Sequence, residues 1–240
     1  MVTPYNQDEE KVSQVQRMFN RIAPTYDRLN HIVSLGLDPS WRRKAIGLLA
    51  PFQPREVLDV ATGTGDLAID IIKHIEGVQS ILGVDISEEM MRYGEEKVRA
   101  LGYDRKIQFK REDCTALTLA DESFDAVTIG FGIRNFSDIP AAARELHRIL
   151  RPGKPVVILE LTEPRNKFMH LCYKIYAHHF IPFVGQYISE DRDAYTYLPR
   201  SIAEAPQREQ MTSIFLEAGF REAYYRSIFP GTCAIYVAIK

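Results

Sequence analysis

The amino-acid pattern predicts an α/β protein built on a doubly wound sheet of seven strands, with a closing antiparallel hairpin and a helical insert. Three observations carry this. Apolar, strand-like runs alternate with helix-period patterns from residue 56 to residue 161, and each crossover is long enough to return the next strand parallel to the last. Gly63 and Gly65, one residue apart, interrupt the first of these units just past its apolar run, where a ligand-binding turn belongs. The rhythm then breaks: a helical pattern at 209–218 is followed by two strand-like runs flanking Pro230-Gly231-Thr232, a hairpin connection.

Composition narrows the class. A chain of 240 residues with 45% hydrophobic and 26% charged residues can bury one sizeable core, so a single domain spanning 1–240 is expected. A formal net charge of −2 provides no global positive field to hold a polyanion, and nucleic acid is not an expected partner. Residues 1–10 are polar and acidic, without the basic start and apolar run of a secretory signal. No stretch reaches the roughly 18 uninterrupted apolar residues that would span a bilayer. Cys114, Cys172 and Cys233 are odd in number and widely spaced, which suits neither a disulfide framework nor a metal cluster. A reducing cytoplasm and no metal are expected.

Taken in order, residues 8–23 space Val12, Val15, Met18, Phe19 and Ile22 as an amphipathic helix, which Pro24 ends or bends. Residues 26–41 crowd polar and aromatic groups around Gly36 and Pro39. A capped connection, with the only tryptophan, Trp41, plugging the core, is the plainest expectation there. A helical pattern over 41–49 stops at Pro51 and Pro54, and with the preceding residues makes a helical segment of about 8–50. Residues 56–60 form the first strand, apolar on both faces as parallel strands are. Leu67, Ala68, Ile71, Ile72 and Ile75 mark the next helix, and 80–85 a second strand ending in Asp85. Ser87, rather than Asp85, is the natural cap of the helix over 90–100.

A short strand at 106–110 precedes Asp113-Cys114, which would meet a ligand at the carboxyl end of the sheet or form an ordinary polar turn. Residues 124–130 are the fourth strand, opening into Phe131-Gly132-Ile133-Arg134-Asn135. A helix over 139–150 stops at Pro152-Gly153, and 155–161 is the fifth strand. Residues 165–205 are rich in large apolar groups, among them Phe168, Met169, Tyr173, Tyr176, Ile181, Phe183, Tyr187 and Tyr197. They are expected to form a helical lid over the active-site edge, facing a greasy substrate or a membrane surface; plain core packing is the alternative.

The glycine loop alone leaves the ligand open, because Gly63-x-Gly65-x-x-Ala68 also fits the relaxed dinucleotide fingerprint. Asp85 follows Gly65 by 20 residues, the distance at which a βαβ unit places a carboxylate against ribose hydroxyls. A nucleoside-bearing cofactor follows, whether nicotinamide or adenosyl-sulfonium.

Asp59-Val60-Ala61-Thr62-Gly63-Thr64-Gly65, Asp85, Asp113-Cys114 and the closing hairpin together resemble the class I, Rossmann-like S-adenosylmethionine-dependent methyltransferases. Along nearly its whole length the chain is similar to the ubiquinone/menaquinone biosynthesis C-methyltransferase family. One signature of that family, Y-D-x-M-N-x-x-[aliphatic]-S-x-x-x-H-x-x-W, is matched by Tyr26, Asp27, Asn30, Val33, Ser34 and Trp41; Leu29 replaces the methionine and Asp38 the histidine. A second, R-V-L-K-P-G-G with a later glutamate, is matched by Arg148, Leu150, Pro152, Gly153 and Glu160, with Ile149, Arg151 and Lys154 as departures.

The resemblance implies methyl transfer from S-adenosyl-L-methionine to a ring carbon of a polyprenylated hydroquinone. Demethylmenaquinol is the expected substrate, with a benzoquinol of ubiquinone synthesis as the alternative. By matching motif, Gly63, Thr64 and Gly65 would cradle the methionine part, Asp85 the ribose, Asp113 and Cys114 the adenine, and Gly130 the region near the sulfonium. The methyl group is already electrophilic, so the protein must orient the ring and make it nucleophilic. Arg134, always charged, is expected to stabilise a phenolate or hold an activating water, with Asn135 on the same oxygen and Tyr26 donating to the ring. The competing expectation for Arg134 is a surface ion pair with Asp138. No proton acceptor is assigned. A nicotinamide-dependent dehydrogenase would need an acid–base array that the sequence does not offer, and a non-catalytic scaffold is the third reading, kept by the Asp38 departure. Acting on a lipid quinol calls for peripheral, reversible membrane contact through 165–190; a homodimer is left open.

Overall fold

The computed structural model describes residues 2–5, 7–180 and 192–240. The chain starts with α1 (Lys11–Ile22), whose stripe of Val15, Met18 and Ile22 is buried. Pro24 sits in a single tight turn, Ala23–Thr25, near the start of which its missing N–H costs nothing. The chain then resumes as α2 (Tyr26–Val33) with Leu29 buried. The expected connection over 26–41 is therefore mostly helical: only residues 34–37, with Leu35 and Gly36 at positive φ, form the turn. Next comes α3 (Asp38–Leu49), which starts three residues before the apolar pattern because Pro39 occupies its first turn.

The αβ repeat follows as expected: β1 (Glu56–Val60), α4 (Asp66–His74), β2 (Ser80–Asp85), α5 (Glu88–Ala100), β3 (Ile107–Arg111), β4 (Ala126–Gly130), α6 (Ile139–Ile149) and β5 (Pro155–Leu161). The fourth strand begins two residues later than its apolar run, since Asp125 turns aside to accept the backbone N–H groups of Arg55 and Glu56 at 3.0 and 3.2 Å. After β5 come α7 (Lys167–Ile175), a π-helical turn over Tyr176–Phe180, α8 (Arg192–Glu204) and α9 (Glu209–Glu217). The hairpin of β6 (Glu222–Ile228) and β7 (Cys233–Ile239) closes the chain. Ile181, Phe183 and Tyr187 of the expected lid lie outside the described residues.

The seven strands run in the order β3-β2-β1-β4-β5-β7-β6, parallel except for β7, which is antiparallel to both neighbours. The order reverses between β1 and β4, and there the glycine loop leaves the sheet, at the switch point where open α/β sheets bind ligands. Side chains alternate between the faces. Leu58, Val60, Val127 and Ile129 pack with α6 and α9 on one side, and Val57, Ile81 and Val157 with α3, α4 and α5 on the other. A third cluster, joining Met18, Ile22 and Leu29 to Ala177, Ala194, Tyr195 and Tyr197, ties the N-terminal helices to the insert across the sheet's carboxyl edge.

Candidate active site

The crest of the sheet is strained, as binding crests tend to be. Ala61, Gly63 and Gly65 after β1, and Phe131 after β4, all have φ between 52° and 78°. Asp59 lies beneath this loop, 1% exposed, accepting the Thr62 hydroxyl at 2.7 Å and the Thr128 hydroxyl at 2.6 Å. Burial outweighs those bonds and pushes its carboxyl up to about 6. The loop is also held from outside. Thr64 donates to Asp27 at 2.6 Å, and Lys97 donates to Thr64 at 3.1 Å, to Asp66 at 2.7 Å and to Asp27, so the start of α2 is fastened onto it.

Three cavities meet here. A cleft of about 690 Å³ runs along the strand ends past Gly63, Asp85, Asp113, Cys114, Gly130 and Asn135, roofed by Val12, Val15 and Phe19 of α1. A smaller cavity of about 510 Å³ under the glycine loop includes Gly63, Thr64, Asp38 and Arg42. A chamber of about 1200 Å³ lies between α2, α3, α7, α8 and the hairpin, lined by Val33, Trp41, Leu161, Met169 and Ile202 among others. Tyr26 and Phe131 line each of the three.

Most of the residues singled out from the sequence converge on this junction. Asp85, at the end of β2, accepts the Gly63 N–H at 2.9 Å and the Ser87 N–H at 2.9 Å, which leaves carboxylate lone pairs toward the cleft. Burial raises its pKa against those backbone donors. Ser87 caps α5, as the sequence indicates. Asp113 both lines the cleft and closes a turn by accepting the Thr115 N–H at 2.9 Å, so the two readings of that pair describe one residue. Cys114 is buried, and burial holds its thiol well above the usual range, so it offers shape and not reactivity. Gly65 stands apart: it lines none of the three cavities, and a Cβ there would meet the Phe109 ring at 3.0 Å, so it serves the turn and the start of α4.

Arg134 is not at the surface and does not pair with Asp138. It lies in the tight turn Ile133–Asn135 after β4, and its Nη1 donates to Glu160 Oε1 at 2.8 Å and to the Phe131 carbonyl. The two side chains are 9% and 3% exposed. Burial alone would pull the guanidinium pKa down, but Glu160 more than offsets it and Arg134 stays charged. Asp138 instead caps α6 through the Ala141 N–H at 2.8 Å. Burial raises the Tyr26 phenol, which keeps it a neutral donor. Three buried polar atoms have no partner among the described residues: Arg134 Nε, Asn135 Nδ2 and Tyr173 Oη. Such atoms cost about 1–3 kcal/mol each unless a ligand pairs them.

Three contributions were beyond the local pattern. Glu160 enters the sequence reading only as the later glutamate of a family signature; its role could have been seen in its being a lone charge within the apolar run of 155–161, because a carboxylate on a strand buried on both faces needs a partner. The α1 roof and the α7 wall carry no ligand signal, only amphipathic spacing. At Asp38, the departure from the family signature, the carboxylate lies 3.0 Å from His31 Nδ1, 2.8 Å from the Ser34 hydroxyl and 2.9 Å from Arg42 Nη1. An imidazole thus stands beside the position even though the sequence carries none at it. Burial would raise the Asp38 pKa, but these three partners together hold it below the usual carboxylate value.

The cleft suits an adenosyl-sulfonium nucleoside. It has a carboxylate at the end of the second strand and a glycine backbone bare on the cleft side. A Cβ at Gly132 would come within 2.4 Å of the Ala61 Cβ, so the two crest turns close on each other only because that side chain is missing. The solved structure of a SAM-dependent methyltransferase from Thermotoga maritima superposes with a TM-score of 0.65 at 20% identity, covering 93% of this chain and 99% of that one. An Aquifex aeolicus SAM-dependent methyltransferase gives 0.58 at 20% identity, covering 96% and 99%. These likenesses show the fold. In sequence, the chain is 52% identical over 239 residues to a demethylmenaquinone methyltransferase of Porphyromonas gingivalis, covering 100% of this chain and 98% of the relative. It is 38% identical over 231 residues to the ubiquinone/menaquinone biosynthesis C-methyltransferase UbiE of Geotalea daltonii, covering 96% and 98%. The model of the ubiE/COQ5 methyltransferase family matches residues 6–240, and the chain belongs to that family.

Proposed function

We infer that this chain transfers a methyl group from S-adenosylmethionine to a ring carbon of a demethylated polyprenyl naphthoquinol, giving menaquinol. The observation that carries the reading is the junction: a nucleoside cleft and an apolar chamber meet at Tyr26 and Phe131, beside a buried arginine with a free Nε–H. The chamber suits a greasy aromatic substrate, the class on which the Porphyromonas relative acts.

The sulfonium supplies an electrophilic methyl group. The protein's part is to hold the ring in line and keep water away. Asp85 accepts from the ribose, Gly63 and Thr64 lie along the methionine part, Asp113 and Cys114 flank the adenine, and Gly130 lets the backbone approach the reacting centre. Arg134, aimed by Glu160, donates from Nε to the ring oxygen beside the carbon to be methylated and lowers the cost of negative charge there. Asn135 supplies a second donor through Nδ2, and Tyr26 donates from α2. Arg134 stays protonated throughout.

A benzoquinol ring is the second reading, favoured by the double naming of the Geotalea relative. No helix among the described residues is long and apolar enough to cross a membrane. The chamber is bordered by apolar side chains that face water, Leu35 at 66% exposed, Phe168 at 70% and Phe229 at 89%. They suit reversible docking on the bilayer from which the quinol is drawn. The deciding experiment is transfer of labelled methyl to paired demethylated naphthoquinol and benzoquinol substrates. Preference for the naphthoquinol is expected, and no product from either ring overturns the reading.

A further inference from the structure

Among the described residues of the lid, Tyr173 is the one whose buried polar end is left over. It stands on α7 and lines the chamber with Met169 and Cys172 of the same helix. One turn on, the Tyr176 hydroxyl donates to the Val33 carbonyl at 2.6 Å and so fastens the insert to α2. On α8, the Tyr197 hydroxyl donates to Asn135 Oδ1 at 3.1 Å. The Tyr173 hydroxyl is buried and has no partner among the described residues. Packing accounts for the ring of a buried tyrosine; it does not account for a hydroxyl kept where phenylalanine would cost less.

Of the side chains lining the chamber, only two carry such an orphaned donor: Tyr173 from the lid and Arg134 from the sheet. Burial and the nearby Glu163 carboxylate push the Tyr173 phenol up, so it stays protonated and available to donate. A ring with oxygens at opposite ends offers one acceptor to each of these donors.

We propose that the Tyr173 hydroxyl is the second polar anchor of the substrate: it donates to the ring oxygen para to the one held by Arg134, so the chamber selects a para-dihydroxy ring. This rests on the quinol reading given above. Two-point attachment fixes the ring's rotation as well as its place, and so decides which ring carbon faces the glycine loop. It also makes the lid part of recognition, since the donor on α7 is in place only when the insert is packed on α2.

The test is a cycle between enzyme and substrate. Wild type and Tyr173→Phe are each given a prenylated 1,4-dihydroxynaphthalene and its analogue lacking the hydroxyl para to the activated one. Wild type should lose about 10- to 100-fold in kcat/KM on the analogue; Tyr173→Phe should lose the same on the diol and nothing further on the analogue. As an independent readout, Trp41 lines the chamber and is the only tryptophan, so its fluorescence reports binding of the methylated diol product without turnover. Tyr173→Phe should weaken that binding while leaving affinity for S-adenosylhomocysteine unchanged and the melting temperature of the free protein at or above that of wild type. A Tyr173→Phe enzyme as active as wild type on the diol overturns the inference, as does an equal loss on both substrates, which would mark a structural role. Failure of wild type to methylate any diol would instead overturn the quinol reading.

Discussion

The buried Arg134–Glu160 pair joins the stability of this protein to its chemistry, and Glu160→Gln separates the two. The substitution keeps size and one acceptor while removing the negative charge, so the guanidinium, 9% exposed, is left without a counter-charge. Breaking a buried pair in this way costs about 3–5 kcal/mol. The retained acceptor puts the expectation at the lower end, about 3 kcal/mol. For a chain of 240 residues this corresponds to a melting point lowered by roughly 6–12 °C, at about 2–4 °C per kcal/mol. Urea denaturation and calorimetry with and without S-adenosylhomocysteine read the effect. Cofactor affinity should hold, because Glu160 does not line the cleft, while kcat falls as Arg134 loses its aim. Replacing both partners with apolar groups, Arg134→Met with Glu160→Leu, should restore most of the stability and none of the activity. A loss below about 1 kcal/mol for Glu160→Gln, or a double variant no more stable than the single, would refute the reasoning.

Other expectations follow from the same geometry. The Asp59 carboxyl, raised to about 6 from an ordinary 3.8, binds a proton more tightly in the folded chain; its contribution is fully present below pH 3.8 and is lost as pH rises through about 6. That gap is worth about 3 kcal/mol, so Asp59→Asn should flatten the fall in stability between about pH 4 and 6 in urea melts, and an unchanged slope would count against it. Gly132→Ala would press on Ala61, its Cβ only 2.4 Å away, and should weaken S-adenosylhomocysteine binding by about 10-fold or more in calorimetry, whereas Gly47→Ala, on α3 and in open space, should leave it alone. Phe168→Asp with Phe229→Asp should abolish flotation with liposomes while methylation of a short-chain, soluble quinol continues; unchanged flotation refutes the docking surface.

The fold was legible because its signals are local. The first, second and fifth strands fall within the bounds of their apolar runs, and Ser87, Pro39 and Pro230-Gly231 mark a cap, a helix start and a turn by chemistry that needs no neighbour. The errors came where a tertiary contact overrode the pattern. Residues 26–33 look like a connection because their polar groups are crowded, and they are helical because those groups have partners elsewhere in the chain: Asp27 on Thr64 and Lys97, Tyr26 on the site itself. The fourth strand is short because Asp125 is drawn away by the start of β1.

The cofactor half of the site was readable for a similar reason. A glycine turn and an acid 20 residues on belong to one βαβ unit, and chain geometry alone brings them together, as the 2.9 Å contact between Gly63 and Asp85 records. The substrate half was not, since it is assembled from α2, α3, the turn after β4, α7 and the hairpin, segments far apart along the chain.

The chain by itself determined the order of strands and helices, the place of the glycine loop and the presence of an arginine past the fourth strand, since each depends on neighbours within a few residues or one crossover. Only the folded molecule decided that this arginine is buried against Glu160 and not spent at the surface on Asp138, and that Tyr173 keeps a buried hydroxyl with no partner among the described residues. Both are questions of who is left without a partner once everything is packed, and desolvation is a property of the whole assembly that no stretch of sequence carries.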